Sequence, residues 1–112
     1  EGYRATKALL QRAPEVTAIF ACNDLTAIGA IHAARELGLA VPGDFSIIGF
    51  DNIDMAKEVT PPLTTIHVYK TWLGIFSVRQ LIARAMSPEQ PKTTMHLMTD
   101  LVIRNSVGHP PR

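Results

Sequence analysis

The 112 residues contain a single cysteine, Cys22. One thiol excludes an internal disulfide and cannot by itself make a structural zinc site. The four histidines are scattered, with no His-x-x-x-His spacing, and neither a Gly-x-Ser-x-Gly elbow nor a glycine-rich phosphate loop occurs. Cys22 falls inside an apolar run that reads as a strand, where a thiol is inert packing. The sequence therefore reads as a binder and not as a catalyst, with no cofactor or metal implied.

No apolar stretch approaches the roughly 20 residues that cross a bilayer, and the N-terminus lacks the basic, apolar, small-residue order of a signal peptide. The single cysteine suits a reducing cytoplasm. Charge of one sign is also missing: 11 Lys and Arg against 10 Asp and Glu give a net charge of +1, dispersed along the chain. A phosphate backbone would find no basic footprint here, so this piece alone is expected not to bind DNA.

What is present is apolar material for a core. Hydrophobic residues make up 46% and charged residues 19%, which excludes disorder and suits one small domain or one lobe of a larger one. Glu1-Gly2-Tyr3 runs straight into a helical pattern with no strand ahead of it, which reads as a chain entering in mid-domain.

Tyr3, Ala5, Leu9 and Leu10 among polar residues predict an amphipathic helix ended by Pro14. Val16 to Cys22 reads as a buried strand, followed by Asn23 and Asp24, both good N-cap types, and a helix over 25–37 that stops at Gly38. Phe45 to Phe50 predicts a second strand, ending at Asp51 and Asn52. A short helix over 54–59, a strand over 63–68, a helix over 71–86 and a strand over 95–104 follow; Pro110-Pro111 marks a tail. This alternation, with strands apolar on both faces, predicts an α/β fold: a parallel sheet with helices on both faces.

In such sheets ligands bind beyond the carboxyl ends of the strands. Asn23 and Asp51 both fall there, and neighbouring strands would place their backbones about 4.8 Å apart. An amide and a carboxylate at that distance suit the adjacent hydroxyls of a sugar. The same residues also serve as helix caps, with Asp24 a cap in either reading and Asp51, Asn52 or Asp54 capping the next helix. A third reading gathers Asp24, Asp51 and Asp54 as hard oxygen ligands for a cation or as a phosphoacceptor site. His32 and His67 read as surface or boundary residues.

Three stretches, 20–30, 38–52 and 60–66, occur in an order and spacing that resemble the lactose-repressor (LacI/GalR) family of transcriptional regulators. They include Phe20-Ala21-Cys22-Asn23-Asp24, Val41-Pro42-Gly43-Asp44 through Gly49-Phe50-Asp51-Asn52, and Thr60-Pro61-Pro62-Leu63. Gly2 to Ala5 and Leu101 to Arg104 match as well.

The resemblance implies a periplasmic-binding-protein-like fold of two lobes with an effector, sugar or purine, held in the cleft between them. It assigns residues 1–65 to the C-terminal lobe, 66–94 to a crossover and helix of the N-terminal lobe, 95–107 to a returning strand and 108–112 to a tail. Operator DNA would be bound by a headpiece outside this chain. Asn23 and Asp51 match effector-contacting positions, whereas Val68 stands where relatives usually carry Gln. A homodimer is implied, partly through Ile28, Met55 and Val59, and association or segment exchange is expected of this chain by itself. A periplasmic sugar-binding protein of a transport system is the rival reading.

Overall fold

The computed structural model describes residues 1–111. Its elements follow the expected order: α1 (Gly2–Arg12), β1 (Ala18–Phe20), α2 (Asp24–Glu36), β2 (Ser46–Asp51), α3 (Met55–Glu58), β3 (Thr64–His67), α4 (Lys70–Met86) and β4 (Asp100–Val102). The chain divides into two compact units, one of Glu1–His67 with the segment from Asp100 onward, the other of Val68–Thr99.

The first unit holds one four-stranded sheet in the order β1-β2-β3-β4. Strands β1, β2 and β3 run parallel, with Phe20 opposite Ile48 and Asp51 opposite His67. Strand β4 departs from the expected all-parallel sheet: it pairs antiparallel with β3, His67 facing Asp100. It is also shorter than the 95–104 run predicts, because residues 95–99 form no ladder.

Helix α2 packs on β2, and α1 packs on α2. Small residues set that spacing: a Cβ on Gly29 would lie 2.7 Å from the Tyr3 backbone nitrogen, and one on Gly2 would lie 2.2 Å from the Thr26 carbonyl oxygen. The core beneath is formed by Ala27, Ala30, Ile31 and Ala34 of α2 with Phe45, Ile47 and Leu63, all fully buried. Helix α2 ends where Gly38 takes φ +76, a left-handed value that glycine adopts without a Cβ penalty.

The segment after β4 closes the opposite, amino-terminal end of the sheet. Ser106 is fully buried. Its hydroxyl donates to the Ile47 carbonyl at 2.5 Å and accepts from the Thr64 N–H at 2.8 Å, while its own carbonyl accepts from the Ile47 N–H at 2.8 Å. Gly108, expected in the tail, donates to Ser46 Oγ at 3.1 Å, so docked chain extends past 107. Arg112, the last residue of the expected tail, lies outside the described residues.

The second unit is built on α4, which has no buried residue. Leu81 is 70% exposed and Met86 80%. Trp72 and Phe76 stack with ring centroids 5.6 Å apart, and a shallow groove runs between Leu73, Phe76 and Ser77 on the helix and Met95 and Leu97 beyond it.

Candidate functional site

Asp51 is the last residue of β2, and Asn23 follows the carboxyl end of the adjacent parallel strand β1. Each lies three positions past the matched pair Phe20 and Ile48. Both are half-buried.

Asn23 is the N-cap of α2, with extended backbone (φ −155, ψ 168) and its Oδ1 accepting from the Thr26 N–H at 2.8 Å. Capping uses the oxygen and leaves the amide NH2, a donor pair, for another partner. The cap and ligand readings of Asn23 are therefore compatible, because they draw on opposite ends of one side chain.

Asp24 does not cap. It is the first residue of α2 and fully buried, and its carboxylate points into the sheet. Oδ2 accepts from the Ile53 N–H at 2.8 Å and Oδ1 from the Thr65 hydroxyl at 2.5 Å. It thus supports the site from behind, tying helix, central strand and the loop after β2 together. Gly49 makes room for it, since a Cβ there would stand 2.3 Å from Asp24 Oδ1.

Asp51 and Asn52 both adopt positive φ, 115 and 55. Left-handed backbone is uncommon for residues with a Cβ, though Asn and Asp tolerate it best. Neither caps α3, whose first turn follows Asp54 with no side-chain cap hydrogen bond. Asn52 Oδ1 instead accepts from Arg104 Nη2 at 2.7 Å, and its Nδ2 lies 3.0 Å from His67 Nδ1. Sequence reading missed this cluster: Arg104 is 52 positions from Asn52, and no spacing rule links them.

Cys22 corrects a second expectation. It lies beyond β1, exposed, with Sγ 3.8 Å from Thr26 Oγ1. The ladder ends with the Ala21 N–H donating to Ile48, after which the chain turns to enter the N-cap, so residue 22 leaves the sheet. Asp54 points elsewhere, to Lys57 at 3.1 Å. Among the described residues no three His, Cys, Asp or Glu side chains converge to hold a metal ion. No described helix is long and apolar enough to cross a membrane.

Of the residues expected at a dimer interface, Met55 is 52% exposed and Val59 half-buried. Ile28 is 8% exposed and packs within the unit's own core.

Residues 1–107 match the periplasmic binding protein-like domain family. The chain is 43% identical over 107 residues to the HTH-type transcriptional repressor PurR of Mannheimia succiniciproducens, covering 96% of this chain and 32% of that protein. Among solved structures, the transcriptional regulator CelR in complex with cellobiose superposes with a TM-score of 0.89 at 32% identity, covering 94% of this chain and 32% of that one. The lac repressor dimer bound to operator and an anti-inducer superposes at 0.85 and 34% identity, over 95% of this chain and 37% of that one. The chain thus spans about a third of the length of its curated relatives, and these relatives are transcriptional regulators, not enzymes or transport proteins. By sequence over residues 1–107 and by fold, the chain belongs to the periplasmic binding protein-like domain family, in the form that LacI-family transcriptional regulators carry.

Proposed function

We propose that this chain is the C-terminal part of the effector-binding and dimerisation region of a LacI-type repressor, and that Asn23 and Asp51 hold a small polyhydroxylated effector. The observation that supports the proposal is that Asn23 follows the carboxyl end of β1 and Asp51 ends the adjacent parallel β2. Asn23 offers an amide donor pair and Asp51 a carboxylate, while the buried Asp24 braces the loop after β2. A sugar or a purine could donate to the carboxylate and accept from the amide, and the sugar reading is supported by a structural relative that is a cellobiose complex. The role is binding and not catalysis, in the cytoplasm, as a homodimer in which Met55 and Val59 are the accessible candidates for contact.

Two such contacts supply roughly 3 to 5 kcal/mol, whereas micromolar binding needs about 8. The remainder would come from a second lobe across a cleft, so this chain alone binds effector in the millimolar range or weaker. In the full-length repressor the effector biases an equilibrium between open and closed lobes. The resulting shift in headpiece spacing is bounded by the difference in affinity for the two states.

The test is thermal shift of the full-length protein against pentoses, hexoses and purines, with Asn23→Asp and Asp51→Asn. Asn23→Asp keeps the capping oxygen and removes the amide donors, which separates the two roles. A saturable rise in Tm that both substitutions abolish supports the proposal. A rise that survives both would sink it.

A further inference from the structure

We infer that Asn52 is the positioning residue of the turn that carries Asp51, and that it acts through a hydrogen-bond bridge from Arg104 to His67 with every proton assigned. The inference depends on the effector reading only for the purpose of the turn. Among the described residues, Asp51 and Asn52 are the non-glycine positions with positive φ, and they are consecutive. Backbone of this kind persists where its surroundings hold it in place.

Three contacts hold this one. Arg104 Nη2 donates to Asn52 Oδ1 at 2.7 Å, and Arg104 is itself fixed by Nη1 to the Leu63 carbonyl at 2.8 Å and by its backbone N–H to Thr64 Oγ1 at 2.9 Å. The Asn52 amide nitrogen lies 3.0 Å from His67 Nδ1. One residue on, the Ile53 N–H donates to the buried Asp24 carboxylate at 2.8 Å.

The chemistry of the end groups fixes the protons between them. A guanidinium only donates, so the amide oxygen must face Arg104 and the NH2 must face His67. That NH2 also only donates, so His67 Nδ1 must accept. His67 therefore carries its proton on Nε2, and both the amide orientation and the imidazole tautomer follow from one guanidinium. In the sheet register His67 stands between Asp51 and Asp100.

The bridge spans a place with consequences for the chain path. His67 is the last residue before the Val68–Thr99 unit, and Arg104 lies just after the strand by which the chain returns. Asn52 thus fastens the Asp51 turn to both the outgoing and the incoming chain.

Long-range proton–nitrogen NMR on the histidine-labelled full chain, at a pH above the ordinary histidine range, tests the assignment, with His67→Gln identifying the signal. The wild type should show the Nε2–H tautomer. Asn52→Asp, nearly isosteric, keeps the acceptor for Arg104 but presents an acceptor to His67 as well, so Nδ1 should carry a proton. This gain at Nδ1 is the discriminating result. Asn52→Leu removes both contacts and should speed amide exchange at Ile53 at least ten-fold. An Nδ1–H wild type, an unchanged tautomer in Asn52→Asp, or unchanged Ile53 exchange in a folded Asn52→Leu would each overturn the inference. If Asn52→Leu fails to fold, the Asn52→Asp tautomer decides alone. None of these readouts uses a ligand, so their failure leaves the effector reading standing, and a protein that binds no sugar leaves the bridge standing.

Discussion

Thr65, on the central strand β3, donates its hydroxyl proton to Asp24, the first residue of α2, at 2.5 Å, and both side chains are wholly buried. A buried carboxylate is costly unless its oxygens are satisfied, and here each oxygen has a partner, the second being the Ile53 N–H. Asp24→Ala orphans one buried and one half-buried donor and should cost about 2 to 3 kcal/mol in chemical denaturation. Asp24→Asn should cost less, about 1 to 2 kcal/mol, because its oxygen can serve Ile53 while the Thr65 hydroxyl rotates to accept from the amide. Equal losses for the two variants would mean that the carboxylate charge, and not the donor–acceptor pattern, sets the energy.

Glycine positions should separate by what surrounds them. Gly49→Ala drives a methyl to 2.3 Å from Asp24 Oδ1 and 2.9 Å from Leu63 Cδ2. It should destabilise by about 1 to 3 kcal/mol. Gly74, inside α4, has nothing within 4 Å of an added Cβ. Gly74→Ala should therefore raise helix stability by about 0.5 to 1 kcal/mol. Thermal melts of the two variants check both signs; a destabilising Gly74→Ala would show that α4 packs on that face.

The α1–α2 pair should give stability a pH dependence at both extremes. Lys7 Nζ lies 2.6 Å from Glu36 Oε1, and the Tyr3 hydroxyl donates to the same carboxylate. The Lys7 hydrogen bond first, then that of Tyr3, holds the Glu36 carboxyl below its ordinary range. The Glu36 hydrogen bond chiefly raises the Lys7 ammonium above its own. A depressed carboxyl stabilises the fold above its unfolded-state value, and that gain is lost as pH falls through the folded value. A raised ammonium stabilises below its unfolded-state value, and that gain is lost as pH rises through the folded one. Glu36→Gln should flatten Tm against pH at both ends, and 1 M salt should shrink the difference because the pair is exposed. Parallel profiles for wild type and variant would show that the pair contributes nothing.

Helix α4 should make this chain self-associate when it is alone. Several of its apolar residues, Leu81 at 70% and Ile82 at 55% exposure among them, stand largely uncovered. Each forfeits roughly 1.5 to 3 kcal/mol of burial while exposed. Sedimentation should show association or segment exchange at high concentration, and Leu81→Glu with Ile82→Glu should return monomers. A monomeric wild type at every concentration would end that expectation.

The element order and the two strand-end residues were legible because they are local. An apolar run that stops at Asn23, or at Asp51, announces a strand handing over to a turn, and Asn23 proved to cap α2 as its type suggests. The role of Asp24 was not legible: its partners lie 29 and 41 residues away, brought near by strand pairing. The direction of β4 was hidden for a related reason, since apolar patterning marks a strand without giving its sense. Cys22 was misplaced because the apolar run continues past the last ladder hydrogen bond, and hydropathy does not register where pairing stops. The Arg104, Asn52 and His67 bridge left no trace that spacing alone could reveal.

The buried Ser106 hydroxyl bears on the order in which the molecule can be made. Ile47 and Thr64 offer a carbonyl and an N–H that Ser106 satisfies. During synthesis from the amino end, β2 and β3 emerge well before it, and all of Val68–Thr99 must be translated in between. The first unit therefore waits, with its strand ends unsealed, until Ser106 has been synthesised. A stop just ahead of Ser106 would leave all four strands in place yet the sheet unfinished at its base, so one hydroxyl beyond the last strand decides whether the unit is completed.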